Sequence, residues 1–267
     1  MMYKGIVIAV LLSAPCWTGS ASAQSQGEGP KRPTIILVHG AFAGSSSWNK
    51  VISKLLGRGY NVIAAANPLR SVASDALYLS SLVKSVPGSV VLVGHSYGGE
   101  IITAAAVGAE NVKALVYVAG TAPDVGESSA SIGARFPGST LDSALDTPVP
   151  LADGGKDLYI QPNKFRAQFA ADIPIDEAAQ MAATQRPITE AALSEPAGRP
   201  AWKEVPSWFI FGSLDKNIPR TAHAFMAQRA GARETIEVDG ASHALMMSHP
   251  DKVTALIEQA AVSRLGP

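Results

Sequence analysis

Six short, almost wholly apolar runs recur along the chain: Thr34 to Val38, Tyr60 to Ala64, Ser89 to Val93, Lys113 to Ala119, Ser207 to Gly212 and Thr235 to Val238. A strand with one face in water alternates apolar and polar side chains, so a run that is apolar throughout must be covered on both faces. Between the runs lie stretches with helical spacing at Trp48 to Leu56, Ala73 to Val86, Tyr97 to Val107, Arg220 to Gln228 and Pro250 to Ser263, with helix starts at Ser71 to Asp75 and at Pro219. Strands and helices that alternate in this way form a parallel sheet, because each helix returns the chain to the same end. The pattern predicts an α/β fold: a mostly parallel, doubly wound sheet of about six strands.

From Thr121 to Glu204 the alternation stops, no strand is evident, and Pro, Gly, Asp and Ser are frequent. Roughly 80 residues is too long for a structureless loop in a compact domain. Residues 121–204 are therefore read as a helical lid, inserted between core segments 24–120 and 205–267. Its expected place is over the C-terminal edge of the sheet, where ligands of open α/β sheets bind.

The first residues differ from the rest. Lys4 precedes the apolar run Gly5 to Ala14, and Ala21-Ser22-Ala23 stands before Gln24. These are the parts of a secretory signal peptide, residues 1–23. The run falls well short of the roughly 20 residues that cross a bilayer. A lipoprotein anchor at Cys16 is disfavoured by Pro15. Cleavage after Ala23 would give a secreted or periplasmic protein without a membrane anchor or its single cysteine.

Lys plus Arg and Asp plus Glu each total 22. No net field draws such a chain to nucleic acid or an acidic membrane, and small neutral partners are expected.

The third run ends in Gly94-His95-Ser96-Tyr97-Gly98 and leads directly into a helix. Gly-x-Ser-x-Gly at a strand-to-helix turn is a nucleophile elbow: the glycines let two backbones approach, and the turn exposes the serine Oγ above a helix N-terminus. A serine hydroxyl is a weak nucleophile, so it needs a base, and the base an orienting acid. His243 follows the last strand and Asp215 the one before it. The order Ser96, Asp215, His243 puts all three at one edge of a parallel sheet. Asp124, after the fourth strand, is the competing acid, in a turn with Pro123 and Gly126. Ala41 and Tyr97 are the expected amide donors to an oxyanion, with Phe42 a pocket wall. Phe136, Tyr159, Phe165 and Met246 are candidates for an apolar substrate pocket, although such residues also serve as core.

His39, His95, His223 and His249 read as structural histidines. None has metal-ligand spacing with carboxylates or thiols nearby, and no Gly-x-Gly-x-x-Gly or Walker sequence follows the first strand. Neither a metal nor a nucleotide cofactor is expected.

With these residues in place the chain resembles the α/β-hydrolase superfamily over all of the mature chain except the lid. His39-Gly40-Ala41, the elbow, Ala122-Pro123-Asp124, Asp215-Lys216-Asn217-Ile218-Pro219 and Gly240-Ala241-Ser242-His243 resemble the compact esterase and hydroxynitrile lyase branch. The resemblance implies a cofactor-free Ser-His-Asp enzyme, and the apolar pocket candidates suggest small to medium, largely apolar ester substrates. Lyases of that branch carry a hydroxyl residue at the position of Gly40 and a lysine at that of Ala244, so the departures favour the esterase side. Ser242 also departs, since many relatives have Gly or Asp there. Lactone, amide or carbon–carbon bond hydrolysis, peracid formation, and a binding protein on a hydrolase fold are the alternatives.

Overall fold

The computed structural model describes Met1, Met2 and residues 32–263. The expected signal peptide lies, apart from its first two residues, outside the described residues. Strand and helix alternate through β1 (Thr34–Val38), α1 (Asn49–Gly57), β2 (Val62–Ala65), α2 (Val72–Ser85), β3 (Val90–His95), α3 (Tyr97–Ala105) and β4 (Val112–Val118). An insertion follows with α4 (Ser129–Arg135), α5 (Leu141–Ala144), β5 (Val149–Pro150), β6 (Lys156–Leu158), α6 (Pro162–Phe169), α7 (Ile175–Ala183), β7 (Ile188–Thr189) and α8 (Glu190–Ser194). The alternation then resumes with β8 (Ser207–Gly212), α9 (Arg220–Arg229), β9 (Glu234–Val238), α10 (Leu245–Ser248) and α11 (Pro250–Val262).

The main sheet has six strands in the order β2-β1-β3-β4-β8-β9, and every neighbouring pair is parallel. Successive side chains leave opposite faces. Ile36, Val38, Leu92, Leu115 and Phe209 therefore pack with residues of α2, α3 and α9, while Ile35, Leu37, Val91, Val116 and Ile210 pack with α1 and α11. That double burial is why the central strands are nearly all apolar, with their polar residues (Thr34, Lys113 and Ser207 near the starts, His95 at the end of β3) confined to the strand ends. β9, at the edge, alternates exposure instead. Ser71 caps α2 by accepting from the Ser74 amide at 3.0 Å, as its sequence foretold.

Strand order reverses between β1 and β3. The crevice outside the C-terminal ends at such a switch point is where a ligand has room. The loops after β1 and β3 both open into it.

One expectation needs correcting. The insertion contains strands as well as helices: β5, β6 and β7 form a small antiparallel sheet. Its strands are two or three residues long, too short to leave a period-2 pattern. Pro150, without an N–H to offer, lies on the edge strand β5.

Candidate active site

Ser96 takes the whole turn between β3 and α3, with φ 54° and ψ −128°. A side chain at positive φ costs on the order of 1–3 kcal/mol, which the surrounding packing must hold. The neighbouring glycines explain how. A Cβ on Gly94 would lie 2.4 Å from the Gly98 carbonyl oxygen, and one on Gly98 2.5 Å from that of Val38. Only glycine lets strand and helix come this close.

The loop after β8 carries Asp215 and the loop after β9 carries His243. His243 Nδ1 donates to Asp215 Oδ2 at 2.7 Å, and both side chains are fully buried. Asp215 Oδ1 accepts from the Asn217 and Ile218 amides at 2.8 and 3.0 Å. Burial pushes the Asp215 carboxyl up, but His243 and His223 outweigh it and hold the group well below the usual carboxylate range. With its proton on Nδ1, His243 presents a lone pair at Nε2. That atom is buried and makes no hydrogen bond. Serine–histidine contacts are commonly long until a substrate docks.

Among the described residues, neither the Ala41 nor the Tyr97 amide donates to a protein acceptor, whereas the Phe42 amide donates to the Arg186 carbonyl at 2.9 Å. Gly40 lies against the serine: a Cβ there would stand 2.5 Å from Ser96 Cβ.

Ala41, Phe42, Ser96 and Tyr97 line a cavity of about 1000 Å³, whose other walls include Phe136, Leu141, Leu158 and Leu193 of the insertion and Ile218. Of the residues the sequence offers as pocket walls, Phe42 and Phe136 are among those lining this cavity. Three other proposed pocket residues are not. Phe165 is fully buried and stacks on Phe169 at 5.1 Å. Met246 is buried in the cluster on the α1 and α11 face. Tyr159 is half-buried in the insertion and does not line the cavity. Apolar character marked these side chains as inward without saying which interior they fill.

Asp124 is engaged elsewhere, with Lys203 Nζ at 2.6 Å; that partner holds its carboxyl down. His223 is more than a helix-face histidine, because its Nε2 lies 3.2 Å from Asp215 Oδ2. The signal for it was a histidine one turn into α9, the helix that starts beside the Asp215 loop. His95 Nε2 donates to the His243 carbonyl at 3.1 Å. Ser242, unexplained by the sequence, donates to Asp172 Oδ1 and, at 3.3 Å, to the Phe169 carbonyl. It ties the His243 loop to the insertion.

A family model described as "Alpha/beta hydrolase family" matches residues 35–256. An alpha-hydroxynitrile lyase of Arabidopsis thaliana is 28% identical over 248 residues, covering 82% of this chain and 93% of its own. Methylesterase 3 of the same plant is 25% identical over 255 residues, covering 86% of this chain and 96% of its own. The crystal structure of polyneuridine aldehyde esterase superposes with a TM-score of 0.72 at 21% identity, over 86% of this chain and 99% of that one. Sheet order, strained serine turn and family match agree: the chain belongs to the α/β hydrolase family.

Proposed function

We propose that the protein is a serine esterase that cleaves carboxylic esters of small to medium, largely apolar substrates. What supports the reading is the strained Ser96 beside two unengaged amides on the cavity wall, with the His243–Asp215 pair on loops at the same C-terminal edge of the sheet and the His243 ring 4.8 Å from that of His95, next to the serine. Ser96 Oγ attacks the ester carbonyl while His243 Nε2 takes its proton. The carbonyl oxygen becomes an oxyanion and is held by the Ala41 and Tyr97 amides. Asp215 stays ionised and stabilises the imidazolium. The alcohol leaves with the proton from His243, and water then cleaves the acyl-enzyme by the same steps in reverse.

Cyanohydrin cleavage, named by one relative, fits less well. A residue with a side chain in place of Gly40 would collide with Ser96, and Ala244, fully buried, offers no charge for cyanide. Lactone, amide and carbon–carbon substrates use the same residues and are distinguished by turnover.

Hydrolysis of a p-nitrophenyl ester tests the reading. Ser96→Ala should lower kcat by on the order of 10⁴-fold or more, and equal rates for variant and parent would sink the serine mechanism. We also infer export from residues 1–23. Mass spectrometry of the mature protein should find Gln24 at its N-terminus.

A further inference from the structure

Arg186 leaves the insertion just before β7 and holds the loop after β1 at two points. Its carbonyl accepts from the Phe42 amide at 2.9 Å, and its Nη1 lies 3.1 Å from Nε2 of the fully buried His39. A guanidinium has only donors, so His39 Nε2 must offer its lone pair and the ring proton must sit on Nδ1. From there it donates to the Gly40 carbonyl at 2.9 Å.

The Gly40–Ala41 peptide is planar and trans, so a held carbonyl fixes the Ala41 N–H on the opposite side. The same peptide lies against the nucleophile, since a Cβ on Gly40 would stand 2.5 Å from Ser96 Cβ. The other His39 tautomer would set a lone pair against the Gly40 carbonyl and release the peptide. Asn67 Nδ2 already holds the His39 carbonyl at 2.9 Å, which leaves the ring as the part that Arg186 secures.

We propose that Arg186 is a positioning residue for ester hydrolysis: it sets the His39 tautomer and thereby aims the Ala41 amide at the developing oxyanion. The proposal rests on the serine-esterase reading above. Burial lowers the His39 pKa to about 4, opposed by the Gly40 bond and assisted by Arg186. The ring therefore stays neutral, and able to accept, at neutral pH.

The test compares Arg186→Met, Arg186→Gln and Arg186→Lys with the parent and Ser96→Ala. Each is assayed on a p-nitrophenyl ester and titrated with an alkylboronic acid, whose tetrahedral serine adduct mimics the oxyanion. Arg186→Met should lose about 10- to 100-fold in kcat, less than removal of a whole donor, while KM stays within about twofold. The boronate inhibition constant should rise by the same factor. Arg186→Gln, too short to reach His39, should behave alike should the methionine variant fold poorly, and Arg186→Lys should restore part of the rate. Nitrogen-15 NMR should place the His39 proton on Nδ1 in the parent and shift it toward Nε2 in the methionine or glutamine variant. An unchanged tautomer, a kcat within about twofold of the parent, or a loss confined to KM overturns the proposal. If Ser96→Ala keeps the parent rate, the esterase reading fails instead, and the tautomer measurement still judges the clamp.

Discussion

Asp215 sits among four donors: two backbone amides on one oxygen and two histidines on the other. The bond to His243 keeps the proton on Nδ1, where the proposed mechanism needs it. Asp215→Asn should reverse that preference and cut kcat by on the order of 10⁴-fold. Asp124→Asn should leave kcat unchanged and lose only a partly exposed ion pair, worth no more than about 1 kcal/mol. Steady-state kinetics on the two variants decides between the acids. Glu100, one turn into α3, shows the opposite electrostatics. Its Oε2 accepts from Ser129 Oγ at 2.6 Å and its Oε1 has no partner. Burial, against the pull of Ser129, raises its pKa from 4.5 to about 8. Between those values the folded protein holds a proton that the unfolded chain has released, so this residue makes stability fall as pH rises. Glu100→Gln is neutral throughout, and its gain in Tm over the parent should grow from pH 5 to pH 8. Parallel Tm curves would show that Glu100 is ionised.

At the level of elements, the insertion bonds to each loop that brings a reactive group. Besides the Arg186 contacts, the Ala244 amide donates to the Phe169 carbonyl at 3.1 Å. Gln168 Nε2 donates to the Lys216 carbonyl at 2.9 Å, beside Asp215. Phe169, at the end of α6, packs its ring 4.9 Å from that of His243 and 5.9 Å from that of His95. Phe169→Ala should cost about 3–5 kcal/mol in a urea melt, as for any large buried aromatic. It should also lower kcat by freeing the His243 ring; unchanged kcat would separate the insertion from catalysis. The sequence made β1, β3, β4 and β8 legible because their double burial leaves almost no polar position between their ends. The Ser96, Asp215 and His243 loops were legible for a related reason, since each follows one of those strands or β9. Arg186 was not, because its partner His39 is 147 positions away and nothing local marks the contact. The same limit explains Phe165 and Met246, whose composition cannot tell a core from a cavity wall.

Across the whole molecule acidic and basic residues balance, yet among the described residues the charged ones lining the cavity are Asp142, Asp146 and Glu190, with no Lys, Arg or His. Glu190 is shared with Lys156 at 3.3 Å, and Asp142 and Asp146 are exposed. A substrate bearing a free carboxylate would meet repulsion there. A half-ester of a dicarboxylic acid should show a lower kcat/KM than its neutral diester, and salt should narrow the gap. A gap that salt does not change would point to fit rather than charge. The sheet order has one more consequence, which concerns the timing of synthesis. The proposed serine and amide donors are encoded before β4, the proposed acid after β8, and the proposed base after β9. On the serine-esterase reading, a nascent chain holds its proposed nucleophile, Ser96, well before the proposed base, His243, is made. Activity, on that reading, appears only once the loop after β9 has reached the C-terminal edge of the sheet.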